Sequence, residues 1–287
     1  MSDEPKNLLK SADVARLLQV HPKQIYRLLA RGLPAHRVGG EWRFMRDEVL
    51  AWSGVPASSA GEAPLVQLPP PLLAANGDLV IEVLIARLLA EDKPLVGLVQ
   101  SDRGRALERL AAKKILLAGF HGEVPPSHLG TARLARIHLV VREVGLAFPI
   151  GARVRKVADV AKKRLGLRPE TAGIRAHFDR ALAEAGTSLA KLHCRSSVFE
   201  SHREAVCAVV RGELDVALTT SAWAARVGLG FLPLASEPYD LLLYAENLGT
   251  TVSVGLCEVA QSRAFRTMLS KIPGYDARGA GEIRYER

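Results

Sequence analysis

The pattern of the first fifty residues constrains the fold of this chain most. Two short segments with helical periodicity precede a Gly-Gly pair, and a third such segment follows it. In the first segment, Val14, Leu17 and Leu18 have the spacing of one buried helix face, and Ser11 is placed to cap the helix. In the second, Pro22 suits the first helical position, and the inner stripe consists of Ile25, Leu28 and Leu29. The segment therefore predicts a small domain of three helices and one hairpin.

The hairpin is predicted from Gly39-Gly40, which supplies the positive backbone angles of a two-residue turn. The resulting register places Arg37 opposite Trp42, and it puts Trp42 and Phe44 on the face that packs on the helices. This order of helices and hairpin is typical of a winged helix-turn-helix, which presents its second helix to the DNA major groove. The side chains predicted to contact double-stranded DNA are Lys23, Gln24, Tyr26, Arg27, Arg31, His36, Arg37 and Arg43.

A small helical domain with a solvated basic face is the alternative interpretation of this segment. A family resemblance favours the DNA-binding one, because residues 8–52 resemble the excisionase-type branch of the MerR-like winged helix-turn-helix domains. The segments that carry the resemblance are 14–18, 25–28, 31–34, 38–40 and 43–44, together with Trp52. The resemblance implies a DNA-binding domain at residues 1–54.

Length and composition predict a larger domain behind the first. The chain has 287 residues, more than one average domain, and 48% of them are hydrophobic, which suffices for a sizeable core. Residues 55–71 are rich in Pro, Ser, Ala and Gly without a hydrophobic period, so we expect an interdomain linker there. Residues 72–287 are then predicted to form the second domain.

Several classes of protein are disfavoured by the composition. The amino terminus lacks an apolar signal core, and Glu82 and Arg87 interrupt the most apolar helix, so we expect a cytoplasmic protein without a membrane span. The net charge of +9 is densest at the amino end, as expected for a nucleic-acid partner. The cysteines Cys194, Cys207 and Cys257 lack metal-ligand spacing, and we expect buried thiols rather than a metal site or disulfide. Catalytic and phosphate-loop signatures are absent from the sequence, so we expect neither an enzyme nor a cofactor.

The second domain alternates between helical and strand-like patterns, which predicts an α/β fold with largely parallel strands. Helices are predicted at residues 78–91, 105–114, 157–165, 172–185, 202–211 and 261–271. Strands are predicted at residues 95–99, 115–120, 137–148, 214–219, 231–234 and 241–244. In such sheets, ligands bind at the carboxyl ends of strands, beside helix amino termini.

Three junctions between a strand and a helix combine a small or hydroxyl residue with helical amide groups, an arrangement that holds small anions. They are Ser101 to Arg103, Thr171 to Arg175, and Ser201 to His202. For each hydroxyl, the alternative is a plain helix cap.

A second resemblance covers these junctions. Residues 78–276 resemble the periplasmic-binding-protein-like sensor domains of the molybdate-binding type, through segments 106–110, 118–121, 201–202, 211–217, 231–234, 237–241 and 273–276. The resemblance implies a two-lobed type II fold that closes on a ligand. Where the family shows Ser-Gly-Thr-Arg, Ala172 and Ile174 replace the two hydroxyl residues, and His121 and His202 are candidate replacement donors.

The sequence thus predicts a one-component transcriptional regulator that binds operator DNA through its first domain and senses a small anionic ligand, such as molybdate or tungstate, through its second. The candidate ligand-binding residues are Ser101, Asp102, Arg103, His121, Thr171, Gly173, Arg175, Ser201, His202 and Tyr239. We expect a homodimer, because one short recognition helix reads few base pairs. The alternative is an excisionase-like architectural DNA-binding protein whose α/β domain serves only for assembly.

Overall fold

The computed structural model describes residues 8–38, 41–53, 68–122 and 129–286. The predicted turn at residues 39–40 and most of the predicted linker lie outside the described residues. The first domain consists of β1 (Leu8–Lys10), α1 (Ser11–Leu17), α2 (Pro22–Leu29), β2 (His36–Val38), β3 (Glu41–Met45) and α3 (Arg46–Ser53). Its strands form an antiparallel sheet in the order β1-β3-β2, and Arg37 lies opposite Trp42, which confirms the predicted register.

The core of the first domain forms where the periodicity predicts it. Val14, Ile25 and Phe44 are fully buried, and Trp42 packs against this core. The predicted cap of α1 is wrong, because α1 begins at Ser11 itself and Lys10 is the N-cap. The shift arises because β1, which pairs with β3, leads directly into the helix.

The second domain is built on two long strands that run through both of its halves. Its elements are β4 (Leu72–Ala75), α4 (Leu79–Ala90), β5 (Gly97–Gln100), α5 (Arg103–Ala111), β6 (Leu117–Phe120), β7 (Leu134–Phe148), β8 (Arg164–Leu167), α6 (Gly173–Glu184), β9 (Arg195–Val198), α7 (His202–Val210), β10 (Val216–Thr220), α8 (Ser221–Arg226), β11 (Gly230–Tyr244), α9 (Thr251–Gln261), α10 (Arg263–Leu269), β12 (Tyr275–Asp276) and β13 (Ile283–Glu286). The strand order is β5-β4-β6-β11-β7-β10-β8-β9, with β12 and β13 also paired to β7.

The long strands β7 and β11 separate two lobes. Lobe 1 contains β4 to β6 with α4, α5, α9 and α10, and lobe 2 contains β8 to β10 with α6 to α8. Strands pair in parallel within each lobe, but β7 is antiparallel to both β10 and β11, and β11 is antiparallel to β6. The two-lobed α/β prediction is confirmed, whereas the prediction of largely parallel strands is wrong at the centre of the sheet.

Local differences from the predicted elements have local causes. The helix predicted at residues 157–165 is a 3₁₀ turn, Val157–Val160, because Asp159 accepts the amides of Arg155 and Lys156 and the backbone of Lys162 is left-handed. The strands predicted at 231–234 and 241–244 are both parts of β11, which pairs with β7 throughout. The strand β5 is largely exposed rather than buried, because it forms an edge of the sheet.

The first domain rests on lobe 1. Its helix α1 packs against the 3₁₀ helix Ala245–Gly249, and a Cβ on Gly249 would stand 3.3 Å from the backbone nitrogen of Arg16. That 3₁₀ helix follows β11 directly along the chain. The strand that crosses both lobes therefore ends at a contact with the first domain.

The crossing strands leave no room for a side chain at Gly145. A Cβ there would lie 2.2 Å from the carbonyl oxygen of Leu232, an atom fixed by the β7–β11 pairing. We predict that Gly145→Ala lowers the free energy of unfolding by about 2 kcal/mol or more, measured by urea denaturation.

A matched control is Gly255→Ala in α9, where the nearest atoms to a Cβ belong to the side chains of Pro94 and Lys93, at 3.3 and 3.4 Å. We expect this control to change stability by less than about 1 kcal/mol. Equal losses in the two variants would contradict a special constraint at the crossing strands.

Candidate functional site

The outward face of α2 is free of internal ion pairs. His21 caps the helix by accepting the amide of Lys23 at 3.2 Å, and Pro22 occupies the first turn. Lys23, Gln24 and Arg27 are exposed, and Tyr26 beside them is 62% exposed. Within the described ranges, the charged members of this face form no salt bridge, so their donors are available to an external partner.

The wing differs from α2, because its cations contact their own chain. Nε2 of His36 lies 2.9 Å from a carboxylate oxygen of Glu48, and Arg43 pairs with Glu41 at 2.6 Å. The guanidinium of Arg37 lies over the ring of Trp42, at 5.3 Å from its centroid. Arg31, after the end of α2, is exposed.

The cleft between the lobes is closed by hydrogen bonds that cross it. Oγ1 of Thr171 in lobe 2 donates to Oδ1 of Asp102 in lobe 1 at 2.9 Å, and Asp102 also caps α5. Nearby, Nε2 of Gln100 donates to the carbonyl oxygen of Glu200 at 3.1 Å. Two of the predicted junctions, at Ser101 to Arg103 and at Thr171, therefore meet in one place.

The serines of the junctions serve their own helices. Oγ of Ser101 accepts from Nη1 of Arg109 at 2.6 Å, and Oγ of Ser201 accepts the amide of Glu204 at 3.0 Å as the cap of α7. Both serines are buried. Their hydroxyls thus have internal roles, and for Ser201 the role is that of a plain cap.

The two candidate arginines at the junctions lie in different surroundings. Nη1 of Arg103 donates to the carbonyl oxygen of His121 at 2.9 Å, so this residue borders the cleft. Arg175 pairs with Asp179 on its own helix at 3.2 Å, and within the described part of the chain its side chain forms no hydrogen bond or ion pair with the other candidates. The structure therefore brings Arg103 to the cleft but does not place Arg175 among the converging groups.

A fully buried arginine, which the sequence reasoning missed, lies at the centre of the domain. Nη1 of Arg142 on β7 donates to Oδ2 of Asp78 at 2.6 Å, and Nη2 donates to Oε1 of Glu237 on β11 at 2.6 Å. Its guanidinium also lies over the ring of Tyr239, at 4.2 Å from the centroid. Burial acts to lower the pKa of Arg142, but Glu237 and Asp78 outweigh it and raise the pKa above its ordinary value.

Glu237 connects this centre to the amino terminus of α6. Its Oε2 lies 3.1 Å from Nε2 of His177 and 3.8 Å from Nδ1 of His121. A Cβ on Gly173 would stand 2.5 Å from His121 and 3.3 Å from Oε2 of Glu237, so no larger residue fits there unless His121 moves. Burial would raise the pKa of Glu237, but Arg142 holds that pKa well below its usual range. The start of α6, which the sequence marks as an anion site, already faces a carboxylate of the chain itself.

His202 and Tyr239 belong to a neighbouring buried chain of hydrogen bonds. The hydroxyl of Tyr239 donates to Oδ1 of Asn76 at 3.1 Å, and Nδ2 of Asn76 lies 3.3 Å from Nε2 of His202. Burial lowers the pKa of His202 well below its ordinary value, and the charge of Arg168 adds to this effect. His202 is therefore a neutral imidazole in the folded protein.

One signal in the sequence was available for the central arginine. Arg142 and Glu143 are adjacent charges within an otherwise largely apolar run, and β7 is buried along most of its length. A charge in such a strand requires a buried partner, since an unpaired one is costly. The partners themselves, Asp78 and Glu237, lie 64 and 95 residues away along the chain, and no local pattern identifies them.

Comparison with known families gives matches in two separate parts of the chain. A family model for the PBP superfamily domain matches residues 87–261, and one for a helix-turn-helix domain matches residues 8–52. An uncharacterized Bacillus subtilis (strain 168) protein, YvgK, is 23% identical over 299 aligned residues, which cover 96% of each chain. An uncharacterized Clostridium pasteurianum protein, from the 5′ region of a ferredoxin 2Fe-2S gene, is 29% identical over 84 residues, 29% of this chain and 74% of that protein.

Among solved structures, a putative phosphate ABC transporter substrate-binding protein from Clostridium perfringens with bound phosphate matches with a TM-score of 0.54. The match covers 70% of this chain and 97% of the other at 12% identity, so it shows the fold alone. Within the described ranges, the helices are too short or too polar to cross a membrane, and His, Cys, Asp and Glu residues form no cluster suited to a metal ion.

The buried histidines predict a pH dependence of stability. Burial lowers the pKa of His121 to about 3, and that of His202 well below 6.5. Between pH 6.5 and these values the unfolded chain binds protons that the folded chain does not, so stability falls as the pH falls. We predict a loss of up to about 2 kcal/mol per histidine between pH 7.5 and 5.0, measured by urea denaturation.

The variant His121→Gln removes one of these titrations and is expected to flatten the pH dependence. His193→Asn, at an exposed position, is the control and should leave the dependence unchanged. The explanation fails if His121→Gln shows the same loss between the two pH values as the original protein.

Proposed function

The chain belongs to the PBP superfamily, and we propose that it is a transcriptional regulator that binds operator DNA through residues 1–54 and a small anionic ligand through residues 72–287. The helix-turn-helix match indicates a DNA-binding domain, and the PBP superfamily match indicates a substrate-binding rather than a catalytic domain. Because its proposed partner is genomic DNA, we place the protein in the cytoplasm. A homodimer would double the few base pairs that one α2 helix reads.

The observation that carries the proposal is the exposed, unpaired face of α2 in a chain whose second domain closes around a cleft. Lys23 and Arg27 supply charge for phosphates, and Gln24 supplies an amide that can pair with a base edge. The amino end of α2 also lines an open groove shared with Arg266 of α10. That arginine is exposed and adds positive charge beside the DNA-binding face.

A physical connection between the two activities runs along β11. This strand spans both lobes, and the 3₁₀ helix Ala245–Gly249 at its end contacts α1. A ligand that binds the closed lobes better than the open ones favours closure, and β11 is the element through which closure would act on the contact with α1. The proposed ligand would thereby alter the affinity for DNA.

A second candidate function is favoured by the state of the cleft itself. Glu237 faces the start of α6, and Thr171 is bonded to Asp102, so these groups are already paired without a ligand. Such a domain would serve for assembly, as in an excisionase-like architectural DNA-binding protein. Measurements on ligand binding separate the two candidates.

For the DNA-binding domain, we predict that Lys23→Ala together with Arg27→Ala weakens binding to genomic fragments at least tenfold in a gel-shift assay. Removing each phosphate contact should also flatten the logarithmic dependence on salt by about 0.9. The control is Lys191→Ala with Arg195→Ala, two exposed cations of lobe 2 that give the same change of charge. Unchanged binding in the α2 variant would mean that α2 is not the recognition helix.

For the sensor, we predict that one of molybdate, tungstate, sulfate, phosphate or a small carboxylate raises the melting temperature and changes the DNA affinity at least threefold at constant ionic strength. Binding to the folded state alone produces the first effect, and coupling between the domains produces the second. If none of these anions has either effect, the assembly function is favoured over the sensor.

A further inference from the structure

A second buried arginine, Arg168, lies directly after β8 at the cleft side of lobe 2. Its side chain is fully buried, and Nη1 donates to the carbonyl oxygen of Phe199 at 2.6 Å. Burial lowers its pKa to about 10, an effect to which Arg142 contributes, so Arg168 remains charged at neutral pH. In contrast to Arg142, it has no carboxylate among its hydrogen-bond partners in the ranges that the structure describes.

The remaining donors of Arg168 are unsatisfied. Among the described residues, neither Nε nor Nη2 has a hydrogen-bond partner, although both are buried. A native protein seldom leaves buried donors of a charged group without a partner, because the cost is that of full desolvation. The two nitrogens therefore indicate a missing acceptor.

His202 contributes a third unsatisfied donor. Tyr239 donates to Oδ1 of Asn76, which leaves Nδ2 of Asn76 to donate to Nε2 of His202. Nε2 is then the acceptor of a neutral imidazole, and the ring proton is on Nδ1. Nδ1 is buried and without a partner in the described part of the chain. The bond from Arg168 to the carbonyl oxygen of Phe199, three residues before His202, brings the guanidinium to the start of α7, and the charge of Arg168 acts on His202.

We propose that Arg168 and His202 form a buried anion subsite that takes a ligand whose oxygens only accept hydrogen bonds. Fully deprotonated oxyanions such as sulfate or molybdate fit this description, whereas hydrogenphosphate carries a proton that this donor set does not accept. The guanidinium fork supplies two donors and a charge, and the imidazole supplies one donor. The inference rests on the proposed function, since it names the residues and the ligand class of the proposed sensor.

The acidic groups around Arg168 do not replace such a ligand. Asp102, Glu200 and Glu204 act on Arg168 from a distance, but none is hydrogen-bonded to it. Asp102 accepts from Thr171 and from the backbone of α5, and Glu200 pairs with Arg105 at 3.6 Å. The carboxylates of Asp102 and Glu200 are engaged elsewhere, so the anion subsite remains distinct from the self-neutralised centre at Arg142.

The test is a calorimetric titration of the full chain with sulfate, molybdate, phosphate and acetate at pH 8 and constant ionic strength. We expect sulfate or molybdate to bind more tightly than phosphate, and Arg168→Met to weaken that binding at least tenfold. Arg168→Lys keeps the charge but not the guanidinium fork, so its affinity for the anion should lie between those of the original protein and Arg168→Met. Arg175→Met is the matched control, because Arg175 pairs with Asp179, and it should change the affinity less than threefold.

Two outcomes overturn the subsite: no anion binds, or anions bind equally well to the original protein and to Arg168→Met. If Arg168→Met does not fold, Arg168→Lys decides, and an unchanged affinity in that variant is also contrary to the proposal. A merely structural role for Arg168 would lower the melting temperature without changing the shift caused by the anion. The gel-shift assay separates the subsite from the proposed function. Anion binding that depends on Arg168 but does not change the affinity for DNA would support the subsite and contradict the regulator.

Discussion

The ion pairs of Arg142 connect several separate elements of the second domain. The guanidinium on β7 contacts Asp78 at the start of α4 and Glu237 on β11, and Glu237 contacts His177 on α6. One side chain thereby ties lobe 1, both crossing strands and lobe 2. Because Arg142, Asp78 and Glu237 are all buried, removing one of these partners would leave an unpaired charge in a low-dielectric interior, which typically costs about 3 to 5 kcal/mol.

The same network determines where an anion can bind. A helix amino terminus attracts negative charge, and the start of α6 receives it from Glu237. Gly173 permits this arrangement, because a side chain there would collide with His121. Ala172 and Ile174, which carry no hydroxyl, lie at this same helix start, where Glu237 already supplies a carboxylate. The buried guanidinium donors that lack a partner among the described residues belong instead to Arg168, directly after β8 and four residues before Ala172.

The sequence predicted those features that depend on neighbours along the chain. The spacing of Val14 and Ile25 identified the core of the first domain, and Ser201 was correctly placed at the start of a helix. The pairing of Arg142 with Asp78 and Glu237 bridges 64 and 95 residues, and its geometry arises only when the strands cross. The continuity of β11 through Glu237 and Pro238 was missed for the same reason, since its pairing with β7 overrides a locally unfavourable composition. Arg168 could not be identified either, because its missing acceptor is a property of the folded interior.

Control of DNA binding by a ligand requires that the ligand distinguish two arrangements of the chain. Arg168 and His202 are held from lobe 2, whereas Asn76, the partner of His202, belongs to lobe 1. Asn76 holds the ring proton of His202 on Nδ1 only when the lobes are closed, so an anion that accepts a hydrogen bond from this nitrogen would favour closure. The crossing strand β11 leads from the two lobes directly into the 3₁₀ helix that contacts α1. In the proposed regulator, closure of the lobes on a small anion would therefore act on the contact that positions α1 and α2.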